Sequence, residues 1–113
     1  DKTLFGAEPA HGWCYFYTQA EIARLENHWG NVVKLYKQAQ NDGLSASMPV
    51  ENLPFIEAFA MTGDTDMAIK LTERTIKGQE ILCPALLTLW DRVSQTQGTA
   101  ADADVLLEAG CNP

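Results

Sequence analysis

The chain has 113 residues, of which 46% are hydrophobic and 20% charged, with a formal net charge of −7. That composition excludes general disorder and suits one domain burying roughly two-thirds of its unfolded surface, without need of a metal or disulfide staple. The negative balance argues against a nucleic-acid backbone or an anionic lipid surface as ligand, since both require clustered Lys and Arg; neutral or basic partners remain.

Residues 1–12 form a lead-in: DKTLFGAEPA carries Gly6 and Pro9 and no helical period, with Leu4 and Phe5 available for packing. The chain begins at Asp1 with neither an initiator Met nor a signal-peptide pattern, which reads as a piece cut from a longer protein. A first hairpin is expected over 13–43. Its first helix, from Gly12 or Trp13 to Glu26, opens on WCYFY, with Trp13, Phe16, Tyr17, Ala20, Ala23 and Arg24 three and four apart, the spacing of a core face. Its second helix, Gly30 to Asn41, is capped by Gly43. The turn aromatic Trp29 should pack inward.

A second hairpin is expected over 49–78, reached through LSASMP: one helix from Glu51 to Met61 with Pro54 in its first turn, then one from Thr65 to Lys77 with Asp64 as N-cap. Gly63 and Gly78 stop these helices. Helix five, 81–96, begins near Pro84 and is apolar almost all round through Leu86, Leu87, Leu89, Trp90 and Val93, which predicts cover on more than one side. Over 99–110, the capping box Thr99–Asp102, the stripe Val105-Leu106-Leu107 and Gly110 predict a short capping helix. The longest nearly apolar run, Ile81 to Trp90, has ten residues and a proline, where a bilayer span needs about 20.

The two hairpins repeat one pattern. NHWGNVVKLYKQA from Asn27 returns in altered form as GDTDMAIKLTERT from Gly63, 36 residues on, with Val32, Leu35, Tyr36 and Ala39 answered by Ala68, Leu71, Thr72 and Thr75. Two helices per unit at a period in the mid-thirties mark an α-solenoid, where each hairpin buries its apolar face only by stacking on a neighbour.

These hairpins resemble tetratricopeptide repeats. Ala20, the Asn27-His28-Trp29 turn and Ala39 match the family's small crossing residues and turn in the first unit, and Gly63-Asp64 with Ala68 in the second. The likeness covers residues 13–77 and has departures: Gln19 stands where a large apolar residue is usual, Thr72 and Thr75 replace an aromatic and an alanine, and Leu44 replaces the closing proline. More loosely, HGWCYFYTQAEIARL, PFIEAFA and LWDRV look like the soluble tail of bacterial multi-span membrane proteins of the sugar-transferase type. The first resemblance implies an all-α, right-handed α-α superhelix of two hairpins, a fifth helix and a cap, working as a non-catalytic scaffold or protein-binding module. The second implies an accessory or regulatory domain of a membrane-embedded glycosyltransferase-like parent whose active site lies elsewhere.

In tetratricopeptide-like stacks the first helix of each hairpin lines the concave face. The 36-residue register pairs Glu21 with Glu57 and brings Asp91 near the same place one unit on, a ladder of carboxylates flanked by Tyr17, Arg24 and Leu53. Such an acidic, partly aromatic groove would receive a basic or amide-rich peptide segment, carboxylates accepting its hydrogen bonds. The alternative is a set of solvated charges and local pairs such as Glu21 with Arg24. Enzymatic readings are weaker. No aromatic subsite pattern lies beside a carboxylate pair, and His11 beside Cys14 has no third, orienting residue. No cofactor or metal is expected: His11, Cys14 and His28 do not share a helix face. Cys14, Cys83 and Cys111 are odd in number and unpatterned, so they read as buried free thiols, weakly favouring a reducing compartment.

Overall fold

The computed structural model describes residues 12–97 and Cys111, and it is all-helical. Five α-helices follow one another: α1 Trp13–Leu25, α2 Trp29–Asn41, α3 Leu53–Met61, α4 Thr65–Ile76 and α5 Cys83–Gln97. Short 3-10 turns, Pro49–Asn52 and Glu80–Leu82, run directly into α3 and α5. In both, a proline (Pro54, Pro84) sits at the second helical position, where the missing N–H had no intrahelical partner. The expected lead-in, the capping helix over 99–110 and His11 lie outside the described residues.

The sequence repeat is visible in the backbone. Asn27 (φ 60°) and Gly63 (φ 91°) occupy the same left-handed position after α1 and α3. The residues that follow share one conformation: His28 at φ −90°, ψ 66° and Asp64 at φ −90°, ψ 69°. Each donates its N–H five residues back, His28 to Ala23 O and Asp64 to Phe59 O, both at 2.8 Å. The second helix then starts, α4 with the Asp64 carboxylate accepting from Met67 N at 3.2 Å. Val32, Tyr36 and Ala39 of α2 and their counterparts Ala68, Thr72 and Thr75 of α4 are all buried.

Helix α3 is the centre of the packing. It touches α1, α2, α4 and α5, and every residue from Pro54 to Ala60 is buried. A helix that is apolar all round must be enclosed, and here that helix is α3. Helix five, expected to be covered on more than one side, instead buries the single stripe Leu86, Leu89, Trp90 and Val93 and exposes Ala85 and Thr88. Phe55 anchors an aromatic cluster with Trp13 (ring centroids 5.4 Å) and Tyr36 (5.1 Å), and Phe59 meets Tyr36 edge-on at 5.3 Å. Such contacts add about 0.5–1.5 kcal/mol each to the gain from area burial.

Three polar clamps fix the helices against one another. Trp90 Nε1 donates to Thr72 Oγ1 at 3.0 Å, while the same hydroxyl donates to Ala68 O at 2.8 Å, so a polar group in the core is fully satisfied. Asn52 Nδ2 donates to Thr75 Oγ1 at 3.1 Å. Glu51 Oε1 accepts from Trp13 Nε1 (2.9 Å), Ser47 N (3.0 Å) and Met48 N (3.2 Å), tying the start of α1 to the connection before α3. Both threonines that depart from the tetratricopeptide pattern are therefore hydrogen-bond acceptors for a neighbouring element. Trp29 opens α2 and is half-buried against the core.

The cysteines require a correction. Cys83, in the first turn of α5, is disulfide-bonded to Cys111, with Cα atoms 5.6 Å apart and a sequence separation of 28. Cys14 is free and exposed rather than buried. The pairing was not legible because it depends on where the chain returns to, and an odd count leaves no unique arrangement.

Candidate functional site

Helices α1, α3 and α5 together line one open groove of about 440 Å3. From α1 come Tyr17, Glu21 and Arg24, one and two turns apart on one face. Helix α3 supplies Leu53, Pro54 and Glu57, and α5 supplies Ala85, Leu89 and Arg92. Five of the six residues expected at the site therefore meet there: Tyr17, Glu21, Arg24, Leu53 and Glu57. Asp91 does not. It is exposed and accepts a hydrogen bond from Gln95 Nε2 at 3.0 Å. Its neighbour Arg92 faces the groove instead, because successive residues on a helix point about 100° apart.

The charges of the groove are paired. Arg92 directs Nε (3.0 Å) and Nη2 (2.9 Å) to the two oxygens of Glu57. Arg24 directs Nε and Nη2, both at 3.2 Å, to those of Glu21. Glu57 is buried, its side chain 7% exposed, whereas that of Arg92 is 51% exposed. The salt link lets a carboxylate lie on α3, the most enclosed helix, because an unpaired buried charge there would cost several kcal/mol. Its hydrogen bond to Glu57 holds the Arg92 guanidinium more firmly protonated than usual, against the opposing effect of burial. Burial first, then the Glu21 and Glu51 charges, push the Tyr17 phenol up, with Arg24 acting the other way.

The lining thus combines two carboxylates and two guanidiniums with an apolar floor. In each pair the glutamate takes Nε and Nη2, so Nη1 is not committed to it. The same two arginines and Glu57 also border a continuation of the groove toward Trp29 and Met61 at the far end of α3. Sequence reasoning missed Arg92; the buried position of Glu57 was the signal that a cation had to approach it from another helix.

A separate groove lies on the first hairpin, where Gln19 and Ile22 of α1 and Glu26 just after it meet Asn31, Lys34 and Leu35 of α2. Among the described residues no cluster of three His, Cys, Asp or Glu side chains is placed to hold a metal ion. No helix among them is long and apolar enough to cross a membrane. No family model, no curated protein and no solved structure matches the chain.

Proposed function

We propose that this domain is a non-catalytic interaction module, a tetratricopeptide-like right-handed superhelix that holds an extended peptide segment in the α1–α3–α5 groove. The observation that carries this reading is the convergence of Tyr17, Arg24, Leu53 and Arg92 from three helices on one open channel, their charges fixed by bidentate pairing. Prepaired side chains lose little freedom when a ligand arrives, which favours recognition.

The pairing also selects the ligand. Because Glu21 and Glu57 are each committed to an arginine, an amide-rich, uncharged segment suits the channel better than a basic one. Its carbonyls meet the Nη1 edges of Arg24 and Arg92, and its apolar side chains meet Leu53, Pro54 and Leu89. Disulfides persist in oxidising surroundings, so the Cys83–Cys111 bond supports an encounter outside a reducing compartment.

The test uses Ala85→Arg. Ala85 is exposed on the groove wall, so the substitution fills the channel without disturbing the core. Peptides enriched on the wild-type domain from a random display library should lose binding to the variant, whose fold is checked by circular dichroism. Undiminished binding to the folded variant would contradict the proposal.

A further inference from the structure

A second concavity, of about 340 Å3, shares no lining residue with the groove. It is enclosed by the C-terminal half of α2, the connection after it, the first 3-10 turn and the last turns of α4. In a chain of net charge −7 its lining is unusual in holding no carboxylate among the described residues. Its one charged residue is Arg74, which forms no ion pair among the described residues. The guanidinium acts on the Tyr36 hydroxyl by charge and by hydrogen bond, lowering a phenol pKa that burial, the stronger influence, raises. Ser45 and Ser47 carry hydroxyls at the rim. Asn52 is held in place by its bond to Thr75, and Gln40 by its bond to Leu44 O at 3.1 Å. Leu71, Ala46 and Pro49 supply an apolar floor.

We propose that this concavity is a binding site for a small hydroxylated carboxylate. One guanidinium matches one carboxylate in charge and fork geometry. A phosphate dianion would keep an unbalanced charge inside an acidic protein, and a free amino acid would bring an ammonium to a lining without an acceptor carboxylate. Hydroxyls on the ligand meet Ser45, Ser47 and the side-chain amides of Gln40 and Asn52, while its carbon skeleton rests on Leu71. Volume and lining fit a molecule of sugar-acid size rather than a polymer.

The experiment is a titration of 15N-labelled protein, followed by the backbone amides of residues 44–49 and the Asn52 and Arg74 side-chain N–H signals. The probes are D-glucuronate, D-gluconate and L-lactate, with neutral D-glucuronamide and inorganic phosphate as comparisons. At least one of the carboxylates should give saturable shifts confined to this site at roughly millimolar concentration or below. Arg74→Gln, an exposed position on α4, should weaken that response about tenfold or more while leaving the rest of the spectrum unchanged. Absence of saturation with all three carboxylates, an equal response to glucuronamide or phosphate, or an undiminished response in folded Arg74→Gln would each overturn the assignment.

Discussion

Reducing the Cys83–Cys111 disulfide should destabilise the domain by an amount that follows from its place in the chain. The bond closes a loop over a sequence separation of 28. Loop-closure entropy for that length predicts a loss of roughly 3–4 kcal/mol when the denatured ensemble is released. For a domain of this size that corresponds to a fall in Tm of about 10–20 °C. Because Cys83 lies in the first turn of the helix that supplies Trp90 to the core and Arg92 to the groove, the loss should appear as loosening of α5 first. Calorimetry with and without a phosphine reductant measures the change without a substitution in the chain. Thiol titration of the unfolded, unreduced chain should find one free thiol, Cys14, out of three cysteines. Three free thiols, or a Tm that reduction moves by less than about 2 °C, would refute the reasoning.

Other perturbations follow from individual contacts. Glu51→Ala removes the carboxylate whose Oε1 is shared by Trp13, Ser47 and Met48 and should cost about 2–3 kcal/mol in urea denaturation; a cost within ~0.5 kcal/mol would show that water replaces it freely. Thr72→Val keeps the side-chain shape but orphans the buried Trp90 N–H, for an expected loss of about 1–3 kcal/mol, with a shift in Trp fluorescence as independent readout. The raised pKa of the Tyr36 phenol gives a pH dependence of definite sign. The folded state binds the phenolic proton more tightly than the unfolded chain, so this contribution is fully present below about pH 10 and is lost as pH rises through the folded value. Denaturation over about pH 8 to 11 should show stability declining at the upper end, and Tyr36→Phe should flatten the decline; an identical decline in the variant would assign it elsewhere.

Local chemistry made most of the helical framework readable. Gly43, Gly63 and Gly78 all adopt positive φ where the chain was expected to turn. The 36-residue repeat between α2 and α4 reappears in burial and in the matched turns at Asn27 and Gly63. What failed to read out depends on partners distant in sequence. Apolar content alone could not rank α3 and α5 by enclosure, since that depends on how many neighbours each helix meets. Glu57 and Arg92 lie 35 residues apart and find each other only because α5 crosses α3. Asp91 was a reasonable expectation from register, yet one step along the helix separates the solvent-facing residue from the groove-facing one. The half-exposed Arg92 carries no apolar signature that periodicity could detect. The disulfide was hidden for the same reason: nothing local to Cys83 indicates where Cys111 returns.

The most direct measurement of the central claim is the footprint of a display-enriched peptide on the 15N-labelled domain. Binding in the groove predicts that the amide shifts concentrate on Tyr17, Glu21, Leu53, Ala85 and Arg92, with the Arg24 and Arg92 side-chain N–H signals moving in parallel. Shifts concentrated on Ile22, Leu35 and their neighbours along the groove on the first hairpin would contradict it and move the binding surface to that face.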